Sequence, residues 1–198
     1  MKRICVFCGS SPGARPEYLQ TAVALGHVLA QKGIGLVYGG ANIGVMGTLA
    51  RSVLERGGRV TGVMPKALAK KEVAFTDLAD LRVVGTMHER KQLMADLSDG
   101  FIALPGGLGT AEEFIEVLTW AQLGIHEKPC GLLNVRGFYD RLLGFLDHAT
   151  DEAFMAPGHR AMVIVEASPE VLLEKFSVYR PPVVDKAGWA LKLNGIKN

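Results

Sequence analysis

With 198 residues the chain is long enough for one domain and short for two. Hydrophobic residues make up 48% and charged residues 21%, so a sizeable core can be buried and a disordered chain is excluded. Twenty-two Lys and Arg against twenty Asp and Glu leave a net charge of +2 with no basic block, which argues against a nucleic-acid binder, whose affinity rests on clustered cations.

Met1-Lys2-Arg3 could open a signal peptide, but the apolar stretch Ile4–Cys8 is too short for one and runs into Gly9-Ser10-Ser11-Pro12. No run approaches the ~20 apolar residues of a membrane span. The expectation is a soluble, cytoplasmic protein with no membrane or nucleic-acid partner. From Ile4 onward, short and nearly continuous apolar runs alternate with helical patterns. A strand over Ile4–Cys8 precedes a helix over Glu17–Gln31, and a strand over Gly35–Tyr38 precedes a helix over Val45–Arg56. Strands over Val60–Met64 and Leu81–Val84 lead to a helix over His88–Leu97. Three further pairs follow: Gly100–Leu104 with Ala111–Leu123, Cys130–Leu133 with Phe138–Ala149, and Met162–Val165 with Pro169–Lys175. This alternation predicts an α/β fold, a doubly wound parallel sheet of about seven strands buried under helices on both faces. One domain is expected over 1–198, with about 177–198 as a peripheral tail, because Pro181-Pro182 and weak periodicity end the pattern.

Ligands of such sheets bind at the carboxyl ends of the strands, where strand order reverses. Three predicted strand ends are glycine-rich: Gly9-Ser10-Ser11, Gly39-Gly40-Ala41-Asn42-Ile43-Gly44, and Pro105-Gly106-Gly107-Leu108-Gly109-Thr110. That placement suits backbone N–H groups aimed at a phosphate, with tight strand-to-helix turns as the plain alternative. Familiar motifs fail in detail. Gly39-x4-Gly44 continues Val45-Met46 and lacks the Lys and Ser/Thr of a P-loop. The dinucleotide fingerprint fails because apolar residues stand near Met64-Pro65 where a ribose-binding acid belongs. Gly9-x-Ser11-x-Gly13 matches a nucleophile elbow, but Pro12 removes the N–H that would bind the oxyanion. Cys5 and Cys8 form C-x-x-C, yet residues three apart in a strand point to opposite faces, so core thiols are expected. The five histidines show no ligand spacing, and no metal is predicted.

Two segments carry chemistry. In Met87-His88-Glu89-Arg90-Lys91-Gln92-Leu93-Met94, residues Met87, Arg90, Met94 and Leu97 share an arc of roughly 80°. Arg90 therefore projects from an apolar stripe, either towards an anionic partner or with its head snorkelling to water. In the second segment, Thr110-x-x-Glu113 reads as a capping box that holds Glu113 in the first turn, with Phe114, Val117, Leu118 and Ala121 as the buried stripe behind it.

Pro105-Gly106-Gly107-x-Gly109-Thr110-x-x-Glu113, with Met87-His88-x-Arg90-Lys91-x-x-Met94 upstream, resembles the LOG family of cytokinin riboside 5′-monophosphate phosphoribohydrolases, also labelled lysine decarboxylase-like. The likeness extends through Cys8-Gly9-Ser10-Ser11, Tyr38-Gly39-Gly40-Ala41, Val63-Met64-Pro65 and Thr119-Trp120-Ala121-Gln122-Leu123-Gly124, over roughly residues 3–175. The resemblance implies a Rossmann-like three-layer fold, a homodimer, no cofactor, and hydrolysis of nucleoside 5′-monophosphates to free base and ribose 5-phosphate. It implies Arg90 and Glu113 as the catalytic pair, and Glu72, Lys91, the run Gly107, Leu108, Gly109, Thr110, and Thr119 as substrate contacts. Leu108 stands where an aromatic is frequent in the family. Gly9, Ser10, Gly39 and Gly40 are expected as secondary nucleotide loops, and Trp120 and Leu123 either contact a second copy or pack in the core. A rival reading is a carrier that holds a nucleotide-containing cofactor such as molybdenum cofactor without hydrolysing it. A decarboxylase would need a lysine-bound pyridoxal phosphate, for which the sequence shows no recognisable site.

Overall fold

The computed structural model describes residues 1–69 and 74–184 and the single positions 189, 191, 193 and 195. In chain order the elements are β1 (Arg3–Phe7), α1 (Pro16–Gln31), β2 (Gly35–Tyr38), α2 (Gly44–Glu55), β3 (Val60–Pro65), α3 (Lys66–Ala69), β4 (Asp80–Val84), α4 (Met87–Asp96), β5 (Phe101–Ala103), α5 (Leu108–Gln122), β6 (Cys130–Leu133), α6 (Asp140–Asp151), α7 (Pro157–Arg160), β7 (Val163–Glu166) and α8 (Pro169–Val178). The seven strands of the described residues pair in parallel in the order β4-β3-β2-β1-β5-β6-β7. The three-layer α/β architecture read from the alternation is the one observed.

Alternation along β1 splits the core in two. Ile4, Val6 and Cys8 join Leu25 and Leu29 of α1, Leu49 and Val53 of α2, and Leu172 and Phe176 of α8 on one face. Cys5 and Phe7 join Met94 of α4, Phe114, Val117 and Leu118 of α5, and Leu146 of α6 on the other. The thiols of Cys5 and Cys8 thus lie on opposite sides of the sheet, both buried and free, and burial pushes both above the usual thiol range. Each buried aliphatic side chain contributes about 1.5–3 kcal/mol by leaving water. The two outer strands depart from the expectation of burial on both faces. As sheet edges, β4 and β7 are covered less, and Val83 is 55% exposed.

Strand order reverses between β1 and β5, and the segments after these strands meet over the crevice. A Cβ on Gly106 would fall 2.9 Å from the Gly9 nitrogen and one on Gly9 3.3 Å from the Gly106 Cα, and Gly9 N–H donates to the Pro105 carbonyl at 3.2 Å, so the close approach excludes a side chain at position 106 and leaves little room for one at position 9. The buried Tyr139, just before α6, braces the same place: its hydroxyl donates to the Leu104 carbonyl at 2.7 Å. Tyr139→Phe is expected to cost about 1–2 kcal/mol of stability, because it leaves a buried carbonyl short of its donor; urea denaturation measures this. After α8, residues 179–184 run as irregular chain, and Pro181 to Val184 border a cavity beside the end of α5. No helix among the described residues is long and apolar enough to cross a membrane.

Candidate active site

Helix α5 begins three residues earlier than the sequence pattern predicts. Its N-cap is Gly107 in extended backbone (φ −92°, ψ −154°), which has no side chain to cap with. Thr110 therefore sits inside the first turn, and the expected Thr110/Glu113 capping box does not form. The consequence is chemical. The first intrahelical bond at this end runs from Ala111 N–H to the Gly107 carbonyl at 3.1 Å, leaving the N–H groups of Leu108, Gly109 and Thr110 without helical acceptors. A Cβ on Gly107 or Gly109 would meet nothing within 4 Å, so both open onto free space. The helix end adds a partial positive charge of about half a unit. Together these form an anion cradle.

A true cap stands at α4, where the Thr86 hydroxyl accepts from Glu89 N–H at 3.1 Å and the Glu89 carboxylate accepts from Gly85 N–H at 2.8 Å. This fixes the first turn of α4 and turns Arg90 inward under the sheet ends, as its place on the apolar arc suggested. Arg90 is 6% exposed and Glu113 8%, and the Arg90 Nη1 donates to the Glu113 Oε1 in a buried ion pair. The Arg90 Nε donates to the Val63 carbonyl within β3, at 3.0 Å. Burial pushes the Glu113 carboxyl above the usual carboxylate range, and the Arg90 guanidinium pulls it part of the way back. Such a carboxylate accepts a proton more readily than an ordinary one.

The pair lies in a cleft of about 380 Å³, lined by Cys8, Gly9, Ser10, Arg90, Glu112 and Glu113, the cradle Gly107–Thr110, and an apolar wall of Met46, Leu68, Met87 and Leu108. Met87, although on the Arg90 arc, is 41% exposed at the mouth, and Leu108 is 91% exposed. A second cavity of about 260 Å³ adjoins it across Gly9, Ser10 and Gly107, walled by Tyr18 and Phe138. No histidine lines either cavity among the described residues, and Ser11 serves a turn, its hydroxyl accepting from Gly13 N–H at 3.3 Å. No group of three or more His, Cys, Asp or Glu among the described residues could hold a metal.

Other expected contacts lie elsewhere. Lys91 points into a separate groove of about 570 Å³ between α4 and α5. It binds Glu112, which lines the cleft, at 2.7 Å and Glu116, which lines the groove, at 2.9 Å, and both hold its ammonium above the usual range. Thr119 is exposed on α5, its hydroxyl donating back to the Ile115 carbonyl at 2.7 Å. Glu72 lies outside the described residues. Gly39 and Gly40 are not among the described residues that line the cleft, and the helix after them is capped by the loop after β1. Val45 and Met46 N–H donate to the Ser11 and Gly9 carbonyls at 3.4 and 3.2 Å. Trp120 is half-buried against the core, whereas Leu123 is 54% exposed. Pattern reading missed Met46 and Leu68, because their place on the cleft wall follows from packing between elements distant in sequence.

The family model described as "Possible lysine decarboxylase" matches residues 46–176. The chain is 50% identical over 192 residues, 97% of its length and 77% of the relative's, to the probable cytokinin riboside 5′-monophosphate phosphoribohydrolase LOGL5 of Oryza sativa subsp. japonica. It is 46% identical over 198 residues, 98% of its length and 93% of the relative's, to the cytokinin riboside 5′-monophosphate phosphoribohydrolase LOG1 of Arabidopsis thaliana. Among solved structures, the molybdenum cofactor binding protein from Rippkaea orientalis superposes with a TM-score of 0.67 at 28% identity, covering 89% of this chain and 96% of that one. The molybdenum cofactor carrier protein of Chlamydomonas reinhardtii shares the fold with a TM-score of 0.67 at 23% identity, covering 90% and 99%. Shared sequence with these plant relatives over nearly the whole of this chain places it within the LOG family.

Proposed function

We propose that the protein hydrolyses the N-glycosidic bond of N6-modified adenosine 5′-monophosphates, releasing the free base and ribose 5-phosphate. The observation that carries this reading is the buried Arg90–Glu113 pair beside an uncapped helix N-terminus. The 5′-phosphate sits on the N–H groups of Leu108, Gly109 and Thr110. As the C1′–N9 bond breaks, its electron pair leaves with the base and positive charge develops on the ribose, as in glycoside hydrolysis. The Glu113 carboxylate stabilises that charge and takes a proton from the water attacking C1′, and the base gains one as it departs. Arg90, whose guanidinium does not give up a proton at working pH, orients the carboxylate and faces the developing negative charge.

The relatives' printed names support this chemistry, since they are phosphoribohydrolases of cytokinin riboside 5′-monophosphates. A pyridoxal phosphate decarboxylase, which the family description suggests, would need a lysine in the cleft, and none of the described lining residues is one. The protein acts as one cytoplasmic domain and as a homodimer, with Leu123 and Ile125, exposed just past the end of α5, at the contact. Of the family contacts, Lys91 pairs with Glu112 of the cleft wall, and Thr119 lies outside the cleft.

The apolar wall fits an alkyl group on N6 of the base. Leu108→Ser is expected to lower kcat/KM for isopentenyladenosine monophosphate about tenfold relative to AMP, the usual worth of a small apolar contact. The test of the reading is chromatography after incubation with the nucleotide and with its unphosphorylated riboside. Free base should appear from the nucleotide and far more slowly from the riboside, which cannot use the cradle.

A further inference from the structure

Arg90 is held from three sides, and the third side is a missing side chain. Its Nε is anchored to the Val63 carbonyl and its Nη1 to Glu113. Its Nη2 lies where a side chain at position 39 would begin: a Cβ on Gly39 would fall 2.5 Å from that nitrogen and against the Met46 Cε methyl. Gly39 has no positive φ, unlike Gly40 (φ 84°) and Gly44 (φ 57°) in the same loop, so backbone conformation does not demand glycine here. Space does. The loop also has no freedom to retreat. Gly40 accepts from Phe75 N–H at 2.9 Å, Ala41 bridges to Ala74, Tyr38 pairs with Gly62 of β3, and the start of α2 is tied to the Gly9 and Ser11 carbonyls.

We propose that Gly39 is a positioning residue: the empty space above its Cα is the slot that sets the Arg90 guanidinium against Glu113. This deepens the hydrolase reading and rests on it for its kinetic consequences. A methyl group at position 39 has two neighbours to displace. Met46 is an unbranched, adaptable side chain and yields. The guanidinium yields only by leaving its place beside the carboxylate. Glu113 then loses the charge that holds its proton affinity down.

The experiment is a double-mutant cycle of Gly39→Ala in three backgrounds: wild type, Met46→Ala, and Arg90→Ala, which empties the slot. In wild type, Gly39→Ala should lower kcat by about 10–10²-fold, the usual effect of misplacing a catalytic group by an ångström. KM should change little, and the acidic limb of the kcat profile should move to higher pH. Met46→Ala should not restore the rate. With Arg90→Ala, adding Gly39→Ala should cost nothing more in kcat or in Tm. The proposal is overturned by an unchanged kcat and limb, by rescue through Met46→Ala, or by an equal fall in Tm with and without Arg90. The Tm arm needs no turnover. A wild-type protein that releases no base would therefore sink the hydrolase reading and leave the slot to be decided by Tm alone.

Discussion

Glu113→Gln is expected to lower kcat for isopentenyladenosine monophosphate by about 10²–10³-fold, the cost of removing one electrostatic group from a buried site. Glutamine keeps the shape of glutamate and an oxygen to accept from Arg90, so the cleft should hold its form. The anion cradle is untouched, because its donors are backbone N–H groups at the start of α5 and not side chains. What is lost is the negative charge that faces the ribose and the base that takes the proton from water. Nucleotide affinity, read by calorimetry, should therefore stay within a few-fold of wild type while steady-state turnover collapses. A variant that turned over at the wild-type rate would refute the assignment of Glu113.

Arg90→Met should act through the same carboxylate and be recognised by its pH dependence. In the wild-type protein, burial raises the Glu113 carboxyl and the guanidinium opposes that rise. Removing the cation leaves burial alone, and proton affinity climbs further. At neutral pH a larger share of Glu113 is protonated, and kcat falls by at least about 10²-fold. The acidic limb, already above the ordinary value of 4.5 in wild type, moves up in the variant, and part of the lost rate returns on raising the pH. Stability should follow with a defined sign. A carboxyl whose folded-state proton affinity exceeds its unfolded one favours folding below the unfolded value, and that contribution disappears as pH rises through the folded value. The Arg90→Met protein should thus be most stable in mild acid and lose stability from 4.5 upward, by more than wild type does. Breaking a buried pair by removing one partner typically costs about 3–5 kcal/mol at the pH where the remaining charge persists. Thermal unfolding across a pH series, beside kcat at each pH, measures both effects.

The fold was legible because its signals are periodic and local. Runs such as Ile4 to Cys8 are apolar at every position, as strands buried on both faces must be, and the start of the last helix shows in Pro169. The edge strands β4 and β7 carry Asp80, Arg82 and Glu166 among their apolar residues, and the sheet order places these half-covered strands at the two edges. The inward turn of Arg90 was legible from its angular place between Met87 and Met94. Its pairing with Glu113, 23 residues away, was implied only by resemblance, because nothing local encodes which helix faces which. The start of α5 was misread for a physical reason. Thr110 and Glu113 have the composition of a capping box, but Gly107 in extended backbone begins the helix first. The missing cap is what leaves the three amides open, so the misreading falls on the very feature that makes the cradle. The sequence pattern marks Gly39 only as part of a glycine-rich loop; that a side chain there would run into Arg90 and Met46 follows from packing between distant elements, which a pattern cannot show.

The most direct test of the account is a product balance on the wild-type protein with isopentenyladenosine monophosphate as substrate. The account predicts one equivalent each of free base and ribose 5-phosphate per nucleotide consumed, with neither nucleoside nor inorganic phosphate formed. Nucleoside with inorganic phosphate would move the chemistry to the wrong bond, and nucleotide retained stoichiometrically without turnover would make the protein a carrier; either result contradicts it.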